Sequence, residues 1–237
     1  DQDATAHVRS ACIKAPWHRD MAVYLKKLNV KGLSFSFRDG FRCDNYGFFE
    51  DLPFIEMLTV PRIDPACDFG VMPVSSLTSL RRFSASFKVA HPIDLARLPA
   101  LRSCTLKWQN RLASVFEAKH LDRLQISSLD RQKADGLVNL RSLTNLDISH
   151  SGLRSFAPIA ELKSLKRLSL AVCHSLDSLD GIENLQNLRC LHLVETHKIT
   201  SLDCLAALKD LVEDARRVRE AANDSKLKAL QSCLSRA

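Results

Sequence analysis

Between residues 137 and 193 the chain reads LVNLRSLTNLDISHSGLRSFAPIAELKSLKRLSLAVCHSLDSLDGIENLQNLRCLHL. Leucine returns on a strict beat, while the residues between the leucines change freely. Apolar-x-apolar doublets fall at Leu146/Ile148, Leu168/Leu170 and Leu191/Leu193. Further apolar residues stand three and six places earlier, as Leu143 and Leu140 do for the first doublet and Leu165 and Leu162 for the second. A unit this short cannot bury its apolar side alone, but a stack of such units buries one continuous ladder. In a strand alternate side chains face the same way, so the doublet residues must be apolar and the residue between them is free to vary. Self-similarity at about 20 to 29 residues therefore predicts an array of single-strand repeats.

Weaker copies precede the clear ones. Reading backwards, doublets fall at Leu124/Ile126, Cys104/Leu106, Phe83/Ala85, Leu58/Val60 and Leu28/Val30. The widest gap separates the last two and reads as an insertion over about 31–49. It carries six aromatics, Phe35, Phe37, Phe41, Tyr46, Phe48 and Phe49, and Asp39-Gly40 suits a hairpin turn. These rings are expected to pad an N-terminal cap, with an exposed aromatic anchor for a partner as the alternative. After Leu211 the beat is lost. Leu205, Leu208, Leu211, Val212, Ala215, Val218 and Ala222 follow helical spacing, and Leu227, Leu230 and Leu234 do so after a break at Asn223–Ser225.

On the L-x-x-L-x-L beat, and on return segments such as LDSLDGIENLQNL, the chain resembles the leucine-rich repeat superfamily over roughly residues 25–211. It is most similar to the short class found in bacterial internalins and in phosphatase regulatory subunits. The resemblance implies an α/β fold, a solenoid with a curved parallel β-sheet of about eight strands, 3₁₀ or short-helix return segments and helical caps. The expected organisation is an N-terminal cap over 1–24, repeats over 25–211 and a C-terminal helical cap over 212–237. The asparagine that the family places three residues after the doublet is absent. Ser151, Cys173 and Thr196 stand in that column, so smaller polar groups or sulfur are expected to replace the buried asparagine ladder.

Composition narrows the setting. The chain is 46% hydrophobic and 26% charged, as globular proteins are and disordered ones are not. No run approaches the length of a membrane span, and no charged-then-apolar leader pattern opens the sequence. The eight cysteines form no C-x-x-C and fit no zinc spacing. Secreted members of the superfamily close their ends with clustered disulfides, and no such cluster is seen, so a reducing cytoplasm is expected.

Lys and Arg number 34 against 27 Asp and Glu, a net charge of +7. That permits an acidic partner without demanding one. The solvent-facing strand positions sharpen the bias. Placed one before, one after and three after the first doublet residue, they contain Lys27, Lys31, Arg82, Lys107, Arg123 and Arg167 against the single acid Asp147. Asn145 and His192 share these columns, and Trp108 lies beside them. The resemblance makes this the concave face and the expected partner-binding surface, so these residues are the candidate contacts. The column just before adds Lys26, Arg81, Arg102, Lys166 and Arg189 against Glu56 and Asp122, a basic margin suited to steering an acidic partner. Nucleic acid is not the expected partner, because the columns hold no interleaved aromatics for base stacking.

No phosphate loop, G-x-S-x-G or H-E-x-x-H occurs, so no enzyme activity and no cofactor are expected. His174 and His197 occupy one column in adjacent repeats and are expected to stack rather than to share a metal, since no clear third ligand accompanies them. Cys190 lies among the outward positions with no activating base evident. Asp147 and His192 stand two repeats apart, about 10 Å by strand spacing and too far for a direct hydrogen bond. The function expected from the resemblance is a protein-protein interaction module, monomeric or in a heterocomplex, that neutralises a toxin as some bacterial repeat proteins of the immunity type do. The alternatives are a regulatory adaptor subunit of an enzyme such as a phosphatase, or the recognition domain of a larger effector or ubiquitin ligase.

Overall fold

The computed structural model describes residues 8–60, 73–89, 91–208 and 211. The chain divides into two compact units, Asp1–His120 and Leu121–Ala237. The first contains β1 (Ser10–Ile13), α1 (Met21–Lys27), β2 (Gly32–Phe35), β3 (Met57–Thr59), β4 (Arg82–Ala85) and β5 (Ser103–Lys107). Its strands are parallel and pair in chain order, with Ala11, Leu33, Leu58, Phe83 and Cys104 in one register. The second contains β6 (Arg123–Ser127), β7 (Asn145–Ser149), α2 (Ala157–Ala160), β8 (Arg167–Ala171) and β9 (Cys190–Val194). There Leu124, Leu146, Leu168 and Leu191 are in register.

The return segments are mostly 3₁₀ turns, such as Leu95–Arg97, Arg131–Asn139 and Ile182–Asn184. The fold is thus a leucine-rich repeat solenoid: one parallel strand per repeat, returned by 3₁₀ turns or a single helical turn. Nine strands are present among the described residues. The expected beat is the core: Leu140, Leu143, Ile148, Leu162, Leu165 and Leu170 are all fully buried. Each such side chain contributes about 1.5–3 kcal/mol on leaving water.

The start of the array differs from expectation. Leu28 is exposed and caps α1, while Leu33 and Phe35 are buried and Leu33 pairs with Leu58 of β3. The first clear doublet is therefore Leu33/Phe35, and β1 adds a rung before it through Ala11 and Ile13. Two apolar-x-apolar doublets compete five residues apart, and the backbone decides between them. The Glu56 and Met57 N–H groups both donate to the Lys31 carbonyl, at 2.8 and 3.0 Å, which locks Gly32–Phe35 as the strand. The aromatic stretch is consequently strand and return segment of one repeat. Phe41 and Phe49 are fully buried, and Phe48 stacks on Trp17 with ring centroids 4.2 Å apart.

At the strand exits of the second unit, Ser128, His150, Val172 and Glu195 all have positive φ, between 50° and 59°. The N–H of Ser128, His150 and Val172 donates to the carbonyl of Ser149, Ala171 and Val194 on the next rung, each at 2.9 Å. This corner turns the chain out of the strand and ties it to its neighbour. Immediately after it stands the column of the missing asparagine. Ser151, Cys173 and Thr196 are buried. The Ser151 hydroxyl donates to the Leu129 carbonyl (3.0 Å) and accepts the Leu153 N–H (3.2 Å), so one small side chain bridges two rungs. In the first unit Gln109 does similar work, accepting from the Val89 N–H and donating to the Phe87 carbonyl. Leu205, Leu208 and Leu211 are buried; the helical cap expected over 212–237 lies outside the described residues.

Candidate binding face

Alternation decides which side chains each strand leaves to solvent. In β6 Leu124 and Ile126 are buried while Arg123 and Gln125 are exposed, and β7 and β8 bury Leu146, Ile148, Leu168 and Leu170 in the same way. The outward face of the second unit therefore carries Arg123, Asn145, Arg167 and Cys190 in one column and Gln125, Asp147, Ser169 and His192 in the next. Of the residues expected there, Arg123, Asn145, Asp147, Arg167 and His192 all stand in these two columns.

The chemistry of this face is mixed. Arg167 is exposed and makes no ion pair among the described residues. The Asn145 amide oxygen lies 2.9 Å from the Thr144 hydroxyl, which fixes its orientation. Asp147 is half-buried, and burial pushes its carboxyl above the ordinary value, with the charge of His192 acting in the opposite direction. No hydrogen bond joins Asp147 to His192, as expected from their separation, but the imidazole's field reaches the carboxylate. His192 has a nearer partner that its sequence position did not disclose: its Nε2 lies 3.4 Å from the Cys190 sulfur. Val194 adds an exposed apolar side chain at the end of β9.

On the first unit the outward columns are Ser10, Gly32, Met57, Arg82 and Ser103, then Cys12, Ser34, Thr59, Ser84 and Thr105. Arg82 and Lys107 are exposed and make no ion pair among the described residues. Trp108 follows Lys107 and is partly covered, its ring 5.2 Å from that of Phe116. Phe87 was missed from sequence. It is 46% exposed, and it stands one rung before Trp108 at the equivalent distance from its doublet. Counting columns four residues past each doublet start would have paired the two.

Two expected residues are placed elsewhere by the shifted register. Lys27 lies in the last turn of α1, away from the strand columns. Lys31 precedes β2 and joins the margin column, where its ammonium is 3.6 Å from Glu56, which also approaches Arg81 at 3.9 Å. Such exposed pairs contribute about 0–1 kcal/mol, so Glu56 tempers the charge of this margin more than it stabilises the fold.

His174 and His197 stack, with ring centroids 6.0 Å apart and planes within 9°. Among the described residues no three His, Cys, Asp or Glu side chains converge on a metal position. Among the described cysteines, those at 12, 104, 173, 190 and 204 are free thiols. No described helix is long and apolar enough to cross a membrane.

No protein-family model and no curated protein matches this sequence. Among solved structures it is similar to internalins from Listeria monocytogenes. Internalin C2 is 19% identical, with 77% of this chain and 69% of that chain covered and a TM-score of 0.45. The internalin inlF is 20% identical, with coverages of 81% and 62% and a TM-score of 0.49. The functional domain of InlJ, also from Listeria monocytogenes, is 16% identical, with coverages of 78% and 44% and a TM-score of 0.48. The chain thus spans less than two thirds of the length of two of these three.

Proposed function

We propose that this chain is a non-enzymatic binding module that takes a partner protein with an acidic patch onto the solvent-facing side of its strands. The observation that carries this reading is the state of the outward cations. Arg82 and Lys107 on the first unit, and Arg167 on the second, are exposed with no carboxylate partner among the described residues. They share their columns with small polar residues, Ser84, Ser103 and Thr105 on one unit and Ser169 and Asn145 on the other, and with a single acid, Asp147. An arginine in that setting can offer its full planar fork to a carboxylate on a partner. Phe87 with Trp108, and Val194, supply apolar contact beside the charges, the combination typical of interface anchors. The free thiols fit a reducing compartment such as the cytoplasm.

The experiment is affinity purification of the partner, followed by titration calorimetry with one charge-reversed variant per unit. Arg82→Glu/Lys107→Glu tests the first unit and Arg123→Glu/Arg167→Glu the second. At least one double variant is expected to weaken binding more than about tenfold, as loss of charge-assisted bonds would, with the thermal midpoint unchanged. Full-strength binding by both rejects this face as the site. The finer reading is neutralisation of a toxin, in which the partner loses its activity in the complex. A partner that stays active when bound supports the adaptor role instead.

A further inference from the structure

We propose that Cys190 is a thiol-modification site, in which His192 serves as the base and a small anionic disulfide of the glutathione class is the reactant. Both residues lie on β9 two positions apart, so alternation places them on the same outward side. The Cys190 sulfur stands 3.4 Å from His192 Nε2. His192 is exposed and Cys190 is half-exposed, so an incoming sulfur can reach the pair. Register sets Arg167 of β8 directly beside Cys190. That guanidinium makes no ion pair among the described residues and suits the carboxylates of such a disulfide. The other groups around the pair are Ser169 on β8, Asp147 on β7, and Lys166, Arg189 and Glu195 at the strand ends, two cations and two acids besides Arg167.

Four other described cysteines set the contrast. Cys104 is buried, which pushes its thiol up to about 12. Burial also raises Cys173, and it raises Cys204 together with the nearby carboxylates Glu183, Asp180 and Asp203. All three are held as thiols, the unreactive form. Cys12 is exposed but has no imidazole contact among the described residues, and it provides an internal reference.

The chemistry closes without a further reagent. His192 Nε2 accepts the Cys190 proton, and the sulfur attacks one sulfur of the small disulfide. A new S–S bond forms as the old one breaks. The departing thiolate takes the proton back from the imidazolium and leaves as a thiol. Cys190 is thereby oxidised to a mixed disulfide, and one half of the reagent is reduced.

The test uses the purified full chain with oxidised glutathione near neutral pH, read by peptide mapping. The adduct on Cys190 is expected to form about tenfold faster than on Cys12. His192→Gln should remove that advantage and leave Cys12 unchanged, while Arg167→Gln should slow glutathione disulfide but not the cationic disulfide cystamine. Equal rates at Cys190 and Cys12, or a His192→Gln variant as fast as wild type, would overturn the proposal. These readouts need no partner protein, so their failure is separable from failure of the binding reading.

Discussion

The Val172 N–H donates to the Val194 carbonyl at 2.9 Å while Val172 itself is held at φ 56°. A β-branched residue in the left-handed region is strained, by about 1–2 kcal/mol, because its Cβ crowds the following carbonyl. The hydrogen bond to the next rung holds it there. Equivalent corners carry Ser128, His150 and Glu195, so the strain belongs to the repeat and the valine makes it worst at one place. Val172→Asn is therefore expected to stabilise the protein by about 1 kcal/mol, since asparagine tolerates this conformation. Urea denaturation with an unchanged m-value checks it, and a loss of stability would contradict the corner as described.

Leu168→Ala should cost about 2–5 kcal/mol, since it leaves a cavity in the ladder between Leu146 and Leu191. The same denaturation experiment reads it. A cost under about 1 kcal/mol would place Leu168 outside a packed core.

Ser151→Ala tests the small polar column. The change leaves the Leu129 carbonyl and the Leu153 N–H without their hydroxyl partner in a buried place. The expected cost is about 1–3 kcal/mol. Ser151→Thr, which keeps the hydroxyl, should recover most of it if the methyl is accommodated.

Asp147 gives a pH signature. Burial raises its carboxyl in the folded state, so the folded chain holds that proton more tightly than the unfolded one. Its contribution to stability is then greatest at low pH and is lost as pH rises through the folded value. Asp147→Asn should raise the thermal midpoint at pH 7. The difference should vanish below about pH 3.9, where the wild-type carboxyl is protonated folded or unfolded. A variant less stable than wild type at pH 7 would show that the carboxylate is favourably held.

Residues Leu140 through Leu193 disclosed the ladder because every rung repeats the same demand: a strand buries alternate side chains, and only hydrocarbon satisfies that in each copy. Arg123, Asn145, Asp147, Arg167 and His192 were legible as outward residues for the same reason, since a column is one-dimensional information. Where two readings of the pattern were equally apolar, sequence could not choose. Leu28/Val30 and Leu33/Phe35 both satisfy the doublet, and only pairing of the Glu56 and Met57 N–H groups with Lys31 selects the second. That choice moves Lys27 and Lys31 out of the face and turns the aromatic stretch into core. The contact between Cys190 and His192 likewise depends on how two side chains lean along a strand. Periodicity specifies which face a residue takes; only the assembled backbone sets its neighbours there.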